Sequence, residues 1–150
     1  MKEIIHIGIG QAGVNLCCTQ LREIIKLLPR DLVFSAPRVV LLDLDPELRL
    51  NVSSKFGDLM IDQDQMVKGN EDSANNCFKA HYTLGKEIVE GSIEIIRRQI
   101  EQCDSLEGLV IHSSFVGGTG SGLTSLLQER LSIDLGKVKK VNNALYSSNK

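Results

Sequence analysis

The segment from Phe115 to Leu127 constrains the fold of this chain most strongly. It contains four glycines within six residues, between Gly117 and Gly122, and it follows an apolar run at Leu109–Ile111. An amphipathic pattern begins directly after the glycines and predicts a helix over Ser121–Ile133. Glycine lets the backbone approach a ligand closely, and the start of a helix carries partial positive charge. The segment therefore predicts a strand, a turn and a helix that together hold an anion, most simply a phosphate.

A second glycine-rich turn lies near the start of the chain. Its sequence, from Gly8 to Gly13, has the spacing G-x-G-x-x-G and follows a strand pattern at Glu3–Ile9. A helix is predicted over Gln11–Leu28, with Pro29 as its stop signal. The spacing is weak evidence by itself, because a close crossing of a strand and a helix also requires glycines. No lysine follows either turn in the manner of a Walker A loop.

Strand and helix patterns alternate along the rest of the chain. A second buried strand is predicted at Val39–Leu44, a short helix from Pro46 to about Lys55, and a long helix over Asn75–Cys103. Two weaker signals are an apolar run at Leu59–Ile61, interpreted as an edge strand, and a strand candidate at Val141–Tyr146. The order predicts an α/β fold with a Rossmann-like parallel sheet and helices on both faces.

The polar segments of this pattern fall where the predicted strands end. In open α/β sheets, ligands bind beyond the carboxyl ends of the strands, so these segments are expected to converge on one site. Carboxylates such as Asp43 and Asp45 are ligands that Mg²⁺ prefers, and the side chains of Asn75 and Asn76 can donate hydrogen bonds to phosphate oxygens. The converging segments are Gly10–Ala12, Asp43–Asp45, Glu71–Asn76 and Gly117–Gly122.

Each of these segments also has a purely structural interpretation. Asp43 and Asp45 can cap a turn ahead of Pro46, as aspartates often do. Glu71 and Asp72 can complement the positive N-terminus of the long helix. The turn at 117–122 has the weakest structural alternative, because a helix rarely needs four glycines at its start.

Composition excludes several classes of partner. A net charge near −2 shows no basic face for nucleic acid, and no apolar run reaches the roughly 20 residues of a membrane span. The chain begins on a strand pattern without the features of a signal peptide. The four cysteines lack zinc-like spacing and are expected to be buried free thiols in a reducing cytoplasm; they are Cys17, Cys18, Cys77 and Cys103.

The glycine run, with Phe115 before it and LTSLLQERLSIDLGK after it, resembles the signature of the tubulin/FtsZ superfamily. Three other segments are similar to the family's nucleotide loops. They are Ile9–Gly13 for the first loop, Asp43–Pro46 for the second, and Gly69–Glu87 for the third loop and the helix after it. Ala12 and the stretch Glu71–Asn76 look most similar to α-tubulin.

The resemblance implies a GTP-binding protein with Mg²⁺, a structural role in microtubules of the cytoplasmic cytoskeleton, and β-tubulin-like subunits as partners. It implies a GTPase family, but no catalytic residue is assigned. The residues implied to surround the phosphates are Gly10, Gln11, Ala12, Asn15, Asp72, Ser73, Ala74, Asn75, Gly117, Gly118, Thr119 and Gly120. Asp43 and Asp45 are implied to serve the metal.

The sequence departs from the family pattern at several points. Val116 replaces a small residue, and a β-branched residue resists positive φ. Asn15 replaces a glutamine, Asp45 is shorter than the usual glutamate, and a family loop between Pro29 and Val39 is missing.

The resemblance runs from Met1 to about Lys140. The segments implied to hold ribose and guanine, and the acid that activates water, lie beyond it. The expectation is therefore an incomplete tubulin nucleotide-binding domain over residues 1–136 and a divergent polar tail over 137–150, unable to polymerise alone.

Two alternatives remain from the sequence. One is a small NAD-type domain that uses the turn from Gly8 to Gly13, with Asp43 on the ribose hydroxyls. That interpretation leaves the second glycine-rich turn unexplained. The other is a non-functional fragment that binds no ligand.

Overall fold

The computed structural model describes residues 3–27 and 38–146. Five strands lie in these ranges: β1 (Glu3–Ile9), β2 (Val39–Asp43), β3 (Met66–Lys68), β4 (Leu106–Ser114) and β5 (Lys140–Leu145). The α-helices are α1 (Gly10–Leu27), α2 (Leu48–Phe56), α3 (Cys77–Lys79), α4 (Gly85–Glu101) and α5 (Thr124–Asp134). Two π-helical turns, Ala80–Leu84 and Thr119–Leu123, lead into α4 and α5.

The strands form one sheet in the order β3-β2-β1-β4-β5, and every neighbouring pair is parallel. This order places β1 at the centre, with the chain winding outward in both directions, as in a Rossmann half. The central strands are buried on both faces, which explains their continuous apolar sequences. The predicted Rossmann-like parallel sheet is confirmed.

Helices cover the two faces of the sheet separately. Ile5, Ile7 and Ile9 of β1 point into a core shared with α4 and α5. The opposite face packs β2 against α1, through Cys17 and Cys18, and against α2. Both cores consist of apolar side chains with little or no exposure, and such close packing makes the edge where the strands end rigid.

One of the two edge-strand predictions is confirmed by the structure and the other is wrong. The edge strand predicted at Leu59–Ile61 is wrong, because Leu59 ends a 3₁₀ turn and Met60 adopts a left-handed φ of 49°. The strand on that edge is β3, whose three residues are too few to show an alternating pattern. On the other edge, β5 confirms the candidate at Val141–Tyr146 and lies against β4. The proposed division after Gly136 stays a prediction.

The helix boundaries differ from those predicted mainly at their starts. The long helix begins at Cys77 rather than Asn75 and passes through a π-helical turn before α4. A π-helical turn also precedes α5, where an α-helix was expected from Ser121. Leu28, Pro29 and the position of the missing family loop lie outside the described residues.

Cysteine burial only partly follows the prediction. Cys17 and Cys18 are buried free thiols, Cys103 is partly buried, and Cys77 is exposed, so the expectation of burial is wrong for Cys77. In residues 3–27 and 38–146, no helix is both long enough and apolar enough to cross a membrane.

Candidate functional site

A cavity of about 220 Å³ lies at the carboxyl edge of the sheet, where β1, β2 and β4 end. Four separate loops contribute to its wall, as the sequence pattern indicated. The lining residues are Ile9, Gly10, Gln11, Ala12, Asp43, Asp45, Asp72, Ser73, Asn75, Ser114, Val116, Gly117, Gly118, Thr119 and Gly120.

The first glycine-rich turn of the cavity wall connects β1 directly to α1, with no residue between them. Gly10 makes this possible through a φ of +71°, which a residue with a side chain rarely adopts. A Cβ on Gly10 would also lie only 3.0 Å from the backbone nitrogen of Gly120. The two glycine-rich turns therefore touch through their backbones, and the 18-residue helix α1 begins at the cavity.

The second turn connects β4 to the π-helical turn at Thr119. Its left-handed residue is Gly117, with a φ of +105°, so the strain expected at Val116 does not arise. Val116 instead lines the cavity with a largely exposed side chain. Its backbone nitrogen donates a hydrogen bond of 3.1 Å to the Ser114 hydroxyl, which fixes the exit from β4.

The loop before α3 carries unusual backbone geometry. Ala74 and Asn75 have φ values of 50° and 58°, and a left-handed residue other than glycine costs about 1 kcal/mol. Two such residues in succession are the kind of strain that accumulates at functional sites. Ser73 is buried, and its Oγ lies 3.3 Å from Oγ1 of Thr119 in the second turn. Asn76 caps α3 by accepting a hydrogen bond from the Lys79 nitrogen.

Two aspartates at the end of β2 supply negative charge. Burial raises the pKa of the Asp43 carboxyl to about 6, and the nearby Asp45 carboxylate acts in the same direction. Asp45 Oδ1 also accepts a hydrogen bond of 2.8 Å from the Glu47 nitrogen, so it caps a turn as the structural interpretation suggested. Within the described ranges, no three His, Cys, Asp or Glu side chains are close enough to hold a metal ion.

Comparison with known proteins agrees with this geometry. The family model described as "Tubulin/FtsZ family, GTPase domain" matches residues 3–150. The chain belongs to the Tubulin/FtsZ family. It is 36% identical over 173 aligned positions to the tubulin alpha chain of Encephalitozoon cuniculi (strain GB-M1), covering 100% of this chain and 39% of that protein. It is 35% identical over 170 positions to the tubulin alpha-2 chain of Caenorhabditis elegans, covering 97% and 38%.

These relatives confirm the resemblance to α-tubulin. The chain spans about two fifths of the length of the curated relatives it matches. Each alignment is also longer than the chain, so each relative carries residues within the matched region that this tubulin-family chain lacks.

The structure gathers nearly all the residues that the sequence assigned to the site, and their binding roles stay predictions. Ala74 belongs to the strained loop but does not line the cavity. Asn15 instead lines a neighbouring space of about 10 Å³, with Gln11, Asp43 and Lys55 among its walls. That volume is enough for about one water molecule.

Three lining residues of this tubulin-family cavity were missed. Ile9, Ser114 and Val116 all flank the glycine-rich turns directly. The sequence did not indicate Ser114, because the polar residues after Ile111 predicted the end of the strand there. In the structure, β4 continues to Ser114. Side-chain polarity ended the apolar pattern three residues before the backbone pairing ends.

Asp43→Asn is expected to stabilise the ligand-free chain at pH 7 by about 3 kcal/mol. Because the pKa of Asp43 is raised to about 6, the folded state binds more protons than the unfolded state between pH 4 and 6. The contribution of Asp43 to stability is therefore lost as pH rises through that window. Asparagine keeps the shape and removes the buried charge, so the two chains should be equally stable near pH 4.

Urea unfolding of both chains from pH 4 to 7 checks this expectation. Burial lowers the pKa of His112 to about 4, which opposes the trend, but the difference between the two chains cancels that contribution. A stability difference that stays constant with pH would contradict the assignment to Asp43.

Proposed function

We propose that this chain binds GTP through its phosphates, together with Mg²⁺. The observation that carries the proposal is the meeting of two glycine-rich turns at one cavity, each leading into a helix. Backbone N–H groups and the positive ends of helices favour an anion at this point. The similarity to α-tubulin makes GTP the expected nucleotide.

The charge of the cavity favours binding of a metal and a phosphate together. Asp43, Asp45 and Asp72 line the cavity together with the two glycine-rich turns. A phosphate alone would meet their repulsion, and a cation between the groups would offset it. Mg²⁺ is commonly held by one or two carboxylates plus the substrate phosphates. We propose that Asp43 and Asp45 serve the ion in this way and that it enters with the nucleotide.

The lining residues favour recognition of phosphate over recognition of the base. No aromatic side chain is among the described residues that line the cavity, and most of its wall is backbone, carboxylate, amide or hydroxyl. The described lining residues therefore offer no aromatic ring on which a base could stack. We propose that the 150-residue chain binds nucleoside triphosphates with little preference between guanine and adenine.

Calorimetric titration of the chain with GTP, ATP and NAD, with and without Mg²⁺, tests both the proposed phosphate site and the proposed lack of base preference. GTP and ATP are expected to bind with affinities within about tenfold of each other, each requiring Mg²⁺, and NAD much more weakly. Metal-independent binding of NAD alone would favour the NAD-type alternative, and absence of binding by all three would favour a fragment without ligand. Tight, guanine-selective binding would contradict the proposed lack of base preference but not the phosphate site.

The proposed cellular role follows from the relatives. We propose that tubulin subunits, of β-tubulin type, are the partners and that the chain acts in the cytoplasmic cytoskeleton. Residues 1–150 span about two fifths of the α-tubulin relatives, so a polypeptide of these residues alone is proposed not to polymerise. Hydrolysis of bound GTP by these residues alone is proposed to stay near background. Phosphoryl transfer depends largely on a positioned water molecule, and the acid that the resemblance implies for this role lies outside the residues that carry the resemblance.

A further inference from the structure

The two π-helical turns at Ala80–Leu84 and Thr119–Leu123 pack directly against each other. Gly122, in the turn that leads into α5, faces the turn that leads into α4. A Cβ on Gly122 would lie 2.3 Å from the Cys77 carbonyl oxygen, 2.8 Å from Cβ of Ala80 and 3.0 Å from the backbone nitrogen of His81. π-Helical turns are rare and occur frequently at functional sites. Here two of them share one contact, and each follows a loop of the cavity wall.

His81 joins these turns through hydrogen bonds from its imidazole. Its Nδ1 lies 3.2 Å from the Gly122 carbonyl oxygen and 2.8 Å from Oγ of Ser125. Because the carbonyl only accepts, and the Ser125 hydroxyl itself donates to that carbonyl over 2.9 Å, the proton belongs on Nδ1 of His81. On the other side of the ring, Oε2 of Glu129 lies 4.0 Å from Nε2, beyond hydrogen-bond distance. The Nδ1 proton is therefore the specific link.

The two joined turns lie just after the two cavity-lining loops at 72–76 and 117–120, and these loops contact each other. Ser73 Oγ meets Thr119 Oγ1 at 3.3 Å, just before α3 on one side and at the start of the π-helical turn on the other. Ser121 donates to the Gly118 carbonyl at 3.3 Å, so the glycine-rich turn is tied back to its own helix. The spacing of the loops thus depends on how the first turns of the two helices are held together.

We propose that His81 is a positioning residue for nucleotide binding. It does not line the cavity, and it acts through Gly122 and Ser125 to fix the glycine-rich turn against the loop at 72–76. This proposal rests on the proposed phosphate site, because His81 holds in register the two loops, 72–76 and 117–120, that line that site. Loss of the Nδ1 donor lets the walls separate and weakens phosphate binding without removing any group that touches the ligand.

Two substitutions distinguish this role from simple packing. The amide nitrogen of asparagine reaches the position of Nδ1, whereas that of glutamine extends toward the position of Nε2. Glutamine is the better helix former, so a purely structural role makes His81→Asn the more damaging change. The positioning role reverses that order.

Calorimetry with Mg²⁺ and GTP is expected to show about tenfold weaker binding for His81→Gln, and affinity close to that of the native chain for His81→Asn. Amide hydrogen exchange of the ligand-free chains gives an independent reading. Exchange at Ser73–Asn76 and Gly117–Gly120 is expected to accelerate in His81→Gln and to stay near native rates in His81→Asn. Thermal melts of both variants report the packing contribution separately.

The order of the two variants decides the question. Equal effects, or a larger effect of His81→Asn on exchange and affinity, would overturn the positioning role. If the native chain binds no nucleotide, the proposed function fails, and the exchange rates of the ligand-free chains still decide whether His81 positions the two loops.

Discussion

Gly118→Ala is expected to weaken the binding of Mg²⁺ and GTP about a hundredfold, since overpacking typically costs about 1–3 kcal/mol and about 1.4 kcal/mol is tenfold in affinity. A Cβ at this position would lie 2.3 Å from Ser73 Oγ, 2.7 Å from the Asn76 nitrogen and 2.9 Å from the Asn75 carbonyl carbon. Two of these atoms belong to the backbone of the strained loop, so rotation of a side chain cannot relieve the overlap. The methyl group must push the two walls of the cavity apart.

Gly57→Ala is the matched control for this change. Gly57 lies in a 3₁₀ turn outside the cavity wall, and a Cβ there meets no atom within 4 Å. Calorimetry of the two variants and the native chain, with melts to establish that each is folded, gives the comparison. Equal affinity of a folded Gly118→Ala variant and the native chain would show that the ligand does not depend on the spacing of these loops.

Gly13→Ala is expected to destabilise the fold by about 3 kcal/mol, toward the upper end of overpacking costs. A Cβ on Gly13 would lie 2.3 Å from the His112 carbonyl oxygen and 3.1 Å from the Ser113 Cα. The contact is between the first turns of α1 and the interior strand β4, both anchored in the core. Relief requires moving a helix away from the sheet, because both partners are backbone.

Gly91→Ala supplies a control of opposite sign. Gly91 is exposed within α4, and a Cβ there meets nothing within 4 Å. Alanine is the better helix former, so this change is expected to stabilise the chain by about 0.5–1 kcal/mol. Urea unfolding at a fixed pH measures both variants. A Gly13→Ala variant within about 1 kcal/mol of the native chain would contradict the close crossing of α1 and β4.

The sequence was sufficient to place the main strands and to predict that they are parallel. The apolar runs around Ile5–Ile9 and Val39–Leu42 are continuous because both faces of those strands are covered, and that burial is itself the sign of a parallel sheet. The alternation with helical patterns then allows few topologies. The sequence did not predict β3, because the three residues of this strand are too few to form a recognisable pattern. Its pairing with residues 41–43 is set by tertiary contact.

The start of the helices was harder to anticipate. The apolar spacing of α4 and α5 continues on either side of a π-helical turn, so periodicity does not reveal the extra residue. Gly122 allows close packing there, since a Cβ on this residue would overlap the Cys77 carbonyl oxygen at 2.3 Å. This contact joins segments about forty residues apart, which no local pattern records.

The site was largely predictable because its residues are adjacent to strand ends. One of the two exceptions, Asn15, follows from helix geometry. It lies one turn after Gln11 on the same face of α1, about 6 Å further along the axis at 1.5 Å per residue. Only the first turn of α1 reaches the cavity, and Asn15 faces the smaller space beside α2.

Chemical-shift mapping by ¹⁵N NMR tests the central claim most directly, because it locates the ligand on the chain. On addition of Mg²⁺ and GTP, the largest amide shifts are expected at Gly10–Ala12, Ser73–Asn75 and Gly117–Gly120. Residues of β3 and the far ends of α4 and α5 should change little. Shifts that leave both glycine-rich turns unchanged at saturating GTP, or shifts confined to a different surface, would contradict the phosphate site.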